Sequence, residues 1–250
     1  MNTHEETATR RPPSFTGVLS DTMLTAKERL LDGSPFRELD GDGRHALLEL
    51  GVLERIVRRT RVAQQGETAK NLLVIGSGRV KLERTSGDRV FSLGHRGPGE
   101  TVGETALAGG LQATESAVVL DDAEVLVLPL PGLRKLVGSD EGVRRAVVNI
   151  LVETRLAAEQ RLESLLLRGV EARLVDFLLA SVTRWGEPHA SGQVISAPFT
   201  HADIALLVGS TRETVTLVLG KLKRAGLIEL EKRRIVVRDR EALSRHAATP

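Results

Sequence analysis

Five polar side chains, Thr211, Arg212, Glu213, Thr216 and Lys221, fall on one face of a short stretch running from Phe199 to Gly226, FTHADIALLVGSTRETVTLVLGKLKRAG. Guanidinium, ammonium and hydroxyl donors beside a carboxylate acceptor suit recognition by hydrogen bonding rather than bond breaking. A short helix carrying them at its exposed N-terminal turn is what the major groove of duplex DNA admits. The elements that would hold them can be read from the pattern. Thr200 is placed to cap a first helix with Asp203 three residues on, and Ser210 a second with Glu213 three residues on, both matching the Ser/Thr-x-x-acid capping pattern. Gly209 ends the first helix, where a positive φ costs glycine least. Ile204, Leu207, Val215, Val218, Leu219 and Leu222 recur at helical spacing, so each helix has a face to bury. On spacing alone, an ordinary pair of packed helices would fit as well.

The residues after Gly226 favour the nucleic-acid reading. Leu227–Leu230, a basic tip over Glu231–Arg234, and Ile235–Arg238 form a hairpin pattern, and helix, turn, helix, hairpin is a winged helix-turn-helix. Between His201 and Arg245 there are ten Lys/Arg against six Asp/Glu, a net +4, whereas the whole chain is only +2. A basic end on a near-neutral protein is the electrostatic footprint of phosphate binding.

The stretch FTHADIALLVGSTRETVTLVLGKLKRAGLI resembles the DNA-binding signature of the Crp/Fnr family of bacterial transcription regulators, through the turn and the TRETV core. The resemblance implies that Arg212 reads a guanine edge and that Glu213 accepts from a cytosine amino group, unless capping with Ser210 occupies it. Leu217 stands at the third base-reading position, where the loss of a polar contact would leave a TGT-type half-site degenerate at one place. Thr200, His201, Thr211, Thr214, Lys232 and Arg233 would touch phosphates, positioning without specifying. The implied partners are double-stranded DNA carrying an inverted repeat, a second copy of the chain, and RNA polymerase.

Composition sets bounds on the rest. The chain has 250 residues, 41% hydrophobic and 27% charged, enough for two modest globular domains. No run is long enough to span a bilayer, and the polar start MNTHEETATRRPPS lacks the apolar core of a secretory signal, so a cytoplasmic location is expected. The absence of cysteine excludes disulfides and Cys-ligated zinc or iron–sulfur centres. Five Phe, one Trp and no Tyr are too few for a base-stacking platform. The six histidines are scattered, so neither a metal-dependent jelly-roll enzyme nor a haem site on His45 or His95 is expected, and no cofactor or metal is assigned.

In chain order, residues 1–20 are polar and expected to be disordered. Short helices are expected over Thr22–Leu31, starting at Ser34-Pro35-Phe36, and within Asp40–Leu50. From Ile56 to Leu130 short apolar runs alternate with glycine-rich turns, giving strands near Arg61–Gln64, Leu72–Ser77, Arg79–Arg84, Arg89–Leu93, Thr101–Val102, Ser116–Leu120 and Glu124–Leu128. The fold class is α+β: a jelly-roll-like β-barrel within 21–138, a dimerisation helix over 139–168, and a winged helix-turn-helix over 169–250 whose tail frays from Leu243. Val148, Leu151, Arg155, Ala158, Leu162 and Leu165 alternate spacings of three and four, a seam for pairing with a second copy.

QGE at Gln65–Glu67 and PGETVGE at Pro98–Glu104 resemble the cyclic-nucleotide-binding roll of the same family. That resemblance implies an effector pocket at Gly103, Glu104, Glu115, Ser116, Ala117, Arg155, Ala158 and Glu159, with Glu104 facing a ribose. Where nucleotide-binding members carry Arg-Ser-Ala for the phosphate, this chain has Glu115-Ser116-Ala117, after a longer loop. Ala158-Glu159 replaces the adenine-facing Thr-Ser pair. An anion facing an anion costs rather than stabilises, so cyclic AMP is not expected to be the effector, and no other is identified. Arg79, Lys81, Arg84, Arg89 and Arg96 could hold a different anion, although a solvated strand face suits them better. A winged helix that contacts protein rather than DNA is the rival reading.

Overall fold

The structure is a computed structural model that describes residues 15–108, 112–197, 199–231 and 234–248. It opens with α1 (Phe15–Asp32) and α2 (Gly41–Leu50). Helix α1 begins at Phe15, ahead of the expected Thr22, so the part of the expected tail that lies within the described residues is helical. Ser34-Pro35-Phe36 forms a turn rather than a helix start, because the Ser34 hydroxyl closes it locally, donating to Leu31 O at 2.7 Å and accepting from Phe36 N at 3.1 Å. Asp40 occupies the N-cap position of α2 but makes no side-chain cap bond.

The roll follows: β1 (Val52–Ile56), β2 (Arg61–Ala63), β3 (Asn71–Ile75), β4 (Val80–Ser86), β5 (Arg89–Arg96), β6 (Thr101–Val102), a 3₁₀ turn over Glu104–Ala108, β7 (Ser116–Val119) and β8 (Ala123–Pro129). They make two four-stranded antiparallel sheets, ordered β1-β8-β3-β6 and β2-β7-β4-β5. The jelly-roll-like roll expected from the sequence is present, and among the described residues its two sheets do not bond across at their edges. Strand β3 is apolar from Leu72 to Ile75 because both its faces are covered there. Leu73 and Ile75 face the second sheet with Val80, Leu82 and Val119, while Leu72 and Val74 join Leu126, Leu128 and the helices. Strand β1 was not legible in the sequence, since as an edge strand it is mostly exposed and carries no clean alternation.

Helix α3 (Leu130–Ser139) leads into α4 (Glu141–Leu167), which Asp140 caps by accepting from Val143 N at 2.7 Å. The first half of α4 buries Val143, Ala146, Val147 and Ile150 against the roll. Its other side leaves Val148, Val152, Leu156, Leu162, Leu166 and Leu167 exposed.

The C-terminal domain comprises α5 (Val170–Trp185), β9 (Gly186–His189), β10 (Gly192–Ile195), α6 (His201–Val208), α7 (Arg212–Arg224), β11 (Ile228–Glu231), β12 (Arg234–Val237) and α8 (Arg240–Ala248). Its four strands form one sheet, β11-β12-β10-β9. Helix α8 replaces the fraying tail expected from Leu243. Leu243 is fully buried in this domain's core, and the Asp239 carboxylate starts the helix by accepting from Glu241 N and Ala242 N.

Candidate nucleic-acid interface and effector cavity

Thr200 and Asp203 form the reciprocal box that the sequence suggests: Asp203 N donates to the Thr200 hydroxyl at 3.1 Å and Thr200 N to Asp203 at 3.0 Å. Gly209 ends α6 at φ 62°, and a Cβ there would sit 2.6 Å from Leu165 of α4. The second cap differs from expectation. Ser210 N still donates back to Ala205 O at 2.9 Å, so Ser210 belongs to the end of α6. Thr211 is the first extended residue, φ −92° and ψ 156°, and it caps α7 by accepting from Thr214 N at 3.2 Å. The Glu213 carboxylate is thereby left out of capping. Arg212 and Glu213 are both exposed at the first turn of α7, and neither side chain makes a hydrogen bond or ion pair among the described residues.

The other groove-side candidates are more occupied. The Thr216 hydroxyl donates to Arg212 O at 2.8 Å and lies 2.8 Å from His201 Nδ1, tying the start of α6 to the middle of α7. Thr214 is half-buried, with its hydroxyl 3.0 Å from that of Thr211. Lys221 turns toward α5, its Nζ 2.7 Å from the Glu171 carboxylate, which also takes His246 at 2.6 Å. The Lys221 bond, and behind it that of His246, holds the Glu171 carboxyl below its ordinary range. Lys232 and Arg233 lie outside the described residues. Leu217 is 72% exposed in the middle of the α7 face.

In the roll, Gly103 has φ 97°, and a Cβ there would come within 2.7 Å of Asn71 O. Glu104 follows it, buried, with Oε1 3.9 Å from Arg96 and Oε2 without a partner among the described residues. Burial pushes its carboxyl above the ordinary carboxylate range. Glu115 is also buried; it accepts from the Thr114 hydroxyl and lies 3.7 Å from Arg84. The Ser116 hydroxyl accepts from Gln65 N at 3.1 Å, and Ala117 is packed between the sheets. Gly103, Thr105, Asn71 and Glu115 help line a cavity of about 30 Å³, against roughly 300–1,000 Å³ for ordinary small-molecule pockets.

Arg155, Ala158 and Glu159 are not brought to this cavity. They lie on the exposed side of α4, where Arg155 pairs with Glu159 of its own helix at 2.8 Å. The basic strand residues face their own carboxylates: Arg79 meets Asp121, Lys81 meets Glu83, and Arg96 meets Glu100 and Glu104.

Sequence reasoning missed how the roll and the DNA-binding domain join. Arg161 of α4 donates to Leu93 O at 2.6 Å and Ser92 O at 2.9 Å in the roll, and to Leu207 O at 3.2 Å in α6. Arg184 of α5 pairs with Glu100 of the roll at 2.5 Å. These partners are distant in sequence and carry no shared motif.

Comparison with known proteins matches the two halves separately: residues 53–140 to the cyclic nucleotide-binding domain and residues 172–246 to the Crp-like helix-turn-helix domain. The global nitrogen regulator of Synechococcus elongatus is 30% identical over 226 residues, 89% of this chain and 98% of that protein. The chain belongs to the Crp/Fnr family. A second relative of this Crp/Fnr protein, a CRP-like cAMP-activated global transcriptional regulator of Mycobacterium tuberculosis, is 27% identical over 74% of this chain and 84% of its own length. Among solved structures, a CRP-family transcriptional regulator from Thermus thermophilus superimposes with a TM-score of 0.67 at 27% identity, covering 78% of this chain and 97% of that one. This chain is accordingly a Crp/Fnr-type transcription regulator with a helix-turn-helix DNA-binding domain, and its relatives are regulators rather than enzymes. Among the described residues no helix is long and apolar enough to cross a membrane.

Proposed function

We propose that this Crp/Fnr regulator binds a TGT-type inverted repeat as a homodimer in its ligand-free form, and that cyclic AMP does not switch it. The observation that carries the DNA-reading part is the first turn of α7. Thr211 does the capping, which leaves the Arg212 guanidinium and Glu213 carboxylate exposed and, among the described residues, unpaired, suited to a guanine edge and a cytosine amino group. The exposed apolar side of α4, from Val148 through Leu156 to Leu167, is what a second copy would cover. Two recognition helices related by that pairing would meet half-sites about one helical turn apart. In this reading 21–138 is a sensor or its relic, 139–168 the dimerisation helix, and 169–250 the reader, acting in the cytoplasm with RNA polymerase as a further partner.

The reading without cyclic AMP rests on Glu115. Although one relative is named as cAMP-activated, this chain puts a buried carboxylate beside the roll cavity. Like charge there would repel a phosphate.

The test is a titration of purified protein, without added ligand, into a labelled duplex carrying the inverted repeat, with a scrambled duplex as control. Selective binding that weakens steeply with salt is expected, as phosphate contacts require. Binding that is neither selective nor salt-sensitive would sink the DNA-reading account and favour a winged helix that contacts protein.

A further inference from the structure

The reading face of α7 is polar at its N-terminal end and apolar in its middle. Leu217, at 72% exposed, is the most exposed large hydrophobic side chain among the described residues of the DNA-binding domain. It stands one turn beyond Glu213 and one turn before Gly220, opposite the buried Val215, Leu219 and Leu222. Among the described residues the fold therefore leaves most of this leucine uncovered.

Gly220 is equally unforced. Its backbone is not left-handed, and a Cβ added there would meet only the Arg224 guanidinium, at an ordinary 3.5 Å. Glycine is the weakest helix former after proline, so its place in the middle of α7 does not come from helix stability or packing. An exposed leucine followed by a bare turn makes a low apolar strip, over which another surface can come close to the helix backbone.

In the major groove the apolar partner on offer is the 5-methyl group of thymine, which every other base of unmodified DNA lacks. We propose that Leu217 is a specificity residue that packs on a thymine methyl. The half-site position facing the middle of α7 is then read as thymine, instead of being left degenerate by the loss of a polar side chain. The proposal rests on the reading of α7 as the groove helix, and deepens it.

Deoxyuridine supplies the test, because it differs from thymidine by that methyl alone. Each thymine of the inverted repeat and its flanks is replaced in turn, symmetrically in both half-sites, and affinity is measured for the wild type, Leu217→Ala and Arg212→Ala. One position should weaken wild-type binding by roughly fourfold per half-site, or roughly fifteenfold for the symmetric pair, the loss expected for one buried methyl. Leu217→Ala should bind thymine and deoxyuridine alike at that position while keeping its guanine preference, which also shows that the variant is folded. Two results would overturn the proposal and leave DNA reading intact: a selective wild type that tolerates deoxyuridine everywhere, or a Leu217→Ala variant with the same methyl dependence as wild type. A wild type with no sequence selectivity, unaffected by Arg212→Ala, would overturn the groove-helix reading and this proposal together.

Discussion

His95, on β5 of the roll, lies flat against the ring of Phe199 in the DNA-binding domain, with centroids 5.2 Å apart and planes 5° from parallel. Phe177 meets the same Phe199 ring edge-on at 5.0 Å, Trp185 lies tilted at 5.6 Å, and the Arg79 guanidinium stands 5.5 Å over Phe199 and 5.8 Å over Trp185. Arg79 keeps its bidentate pair with Asp121 while facing the rings. Burial of His95 beside a cation favours its neutral form. Burial, and after it Arg79, pushes the His95 pKa down to about 4; Lys81 and Arg184 act in the same direction and Asp203 opposes them.

That shift fixes a pH dependence. Above the ordinary value of 6.5 the imidazole is neutral both folded and unfolded, and the joint's stability is complete. As pH falls from 6.5 toward 4, only the unfolded chain takes the proton. Stability is then lost progressively, by roughly 3 kcal/mol across the window. Urea unfolding at pH 7 and pH 4.5 should show a steeper loss for wild type than for His95→Phe, which keeps a ring and cannot titrate. Equal slopes would contradict the assignment.

Arg161 holds the same joint from the α4 side, through the carbonyls of Ser92, Leu93 and Leu207. Arg161→Ala should cost roughly 1–3 kcal/mol, because it leaves partly buried acceptors without their donor. It should also speed proteolysis near Gly169, where α4 gives way to α5. Arg161→Lys should fall between the two, since an ammonium cannot span acceptors on two domains as a guanidinium fork does. A lysine variant indistinguishable from wild type would show that the fork geometry is not what matters.

Much of this architecture was readable beforehand because local rules and tertiary structure agree. The Thr200–Asp203 box, Gly209, the long helix after Ser139 and the wing follow from capping and periodicity, and the strands of the roll from glycine punctuation. The misses have physical causes. Ser210 and Thr211 both satisfy a capping rule, and only the extra backbone bond from Ser210 to Ala205 decides between them. Strand β1 is exposed at an edge, and the helix around Leu243 is stabilised by burial rather than by a long repeat. Of the expected seam, Val148, Leu162 and Leu165 are exposed, joined by Val152 and Leu156, while Arg155 pairs with Glu159 of its own helix. The joint of His95, Phe199, Arg79 and Arg161 is wholly tertiary.

The cap assignment makes a sharp contrast. Thr211→Ala should destabilise the DNA-binding domain by about 1 kcal/mol, the usual cost of losing an N-cap. Ser210→Ala, which removes no cap bond, should change thermal stability by much less. The reverse order would restore Ser210 as the cap and return Glu213 to a structural role.

Gly220→Ala separates stability from reading. The fold has room for the methyl, so the free protein should gain roughly 0.5–1 kcal/mol. On selective duplex the same methyl should weaken binding if the helix backbone approaches the groove there. Thermal melts and duplex titrations on one preparation would show both effects. A variant more stable and equally tight on DNA would remove the close-approach argument.

The proposed function has the protein reading its site without cyclic AMP. The direct test is the affinity for a TGT-type inverted repeat, at one fixed salt concentration, with and without saturating cyclic AMP. With the buried Glu115 carboxylate beside a cavity of about 30 Å³, the two affinities should be equal. A rise of about 5–150-fold on adding cyclic AMP, the usual range of allosteric coupling, would contradict the account and show that the roll still opens to a nucleotide.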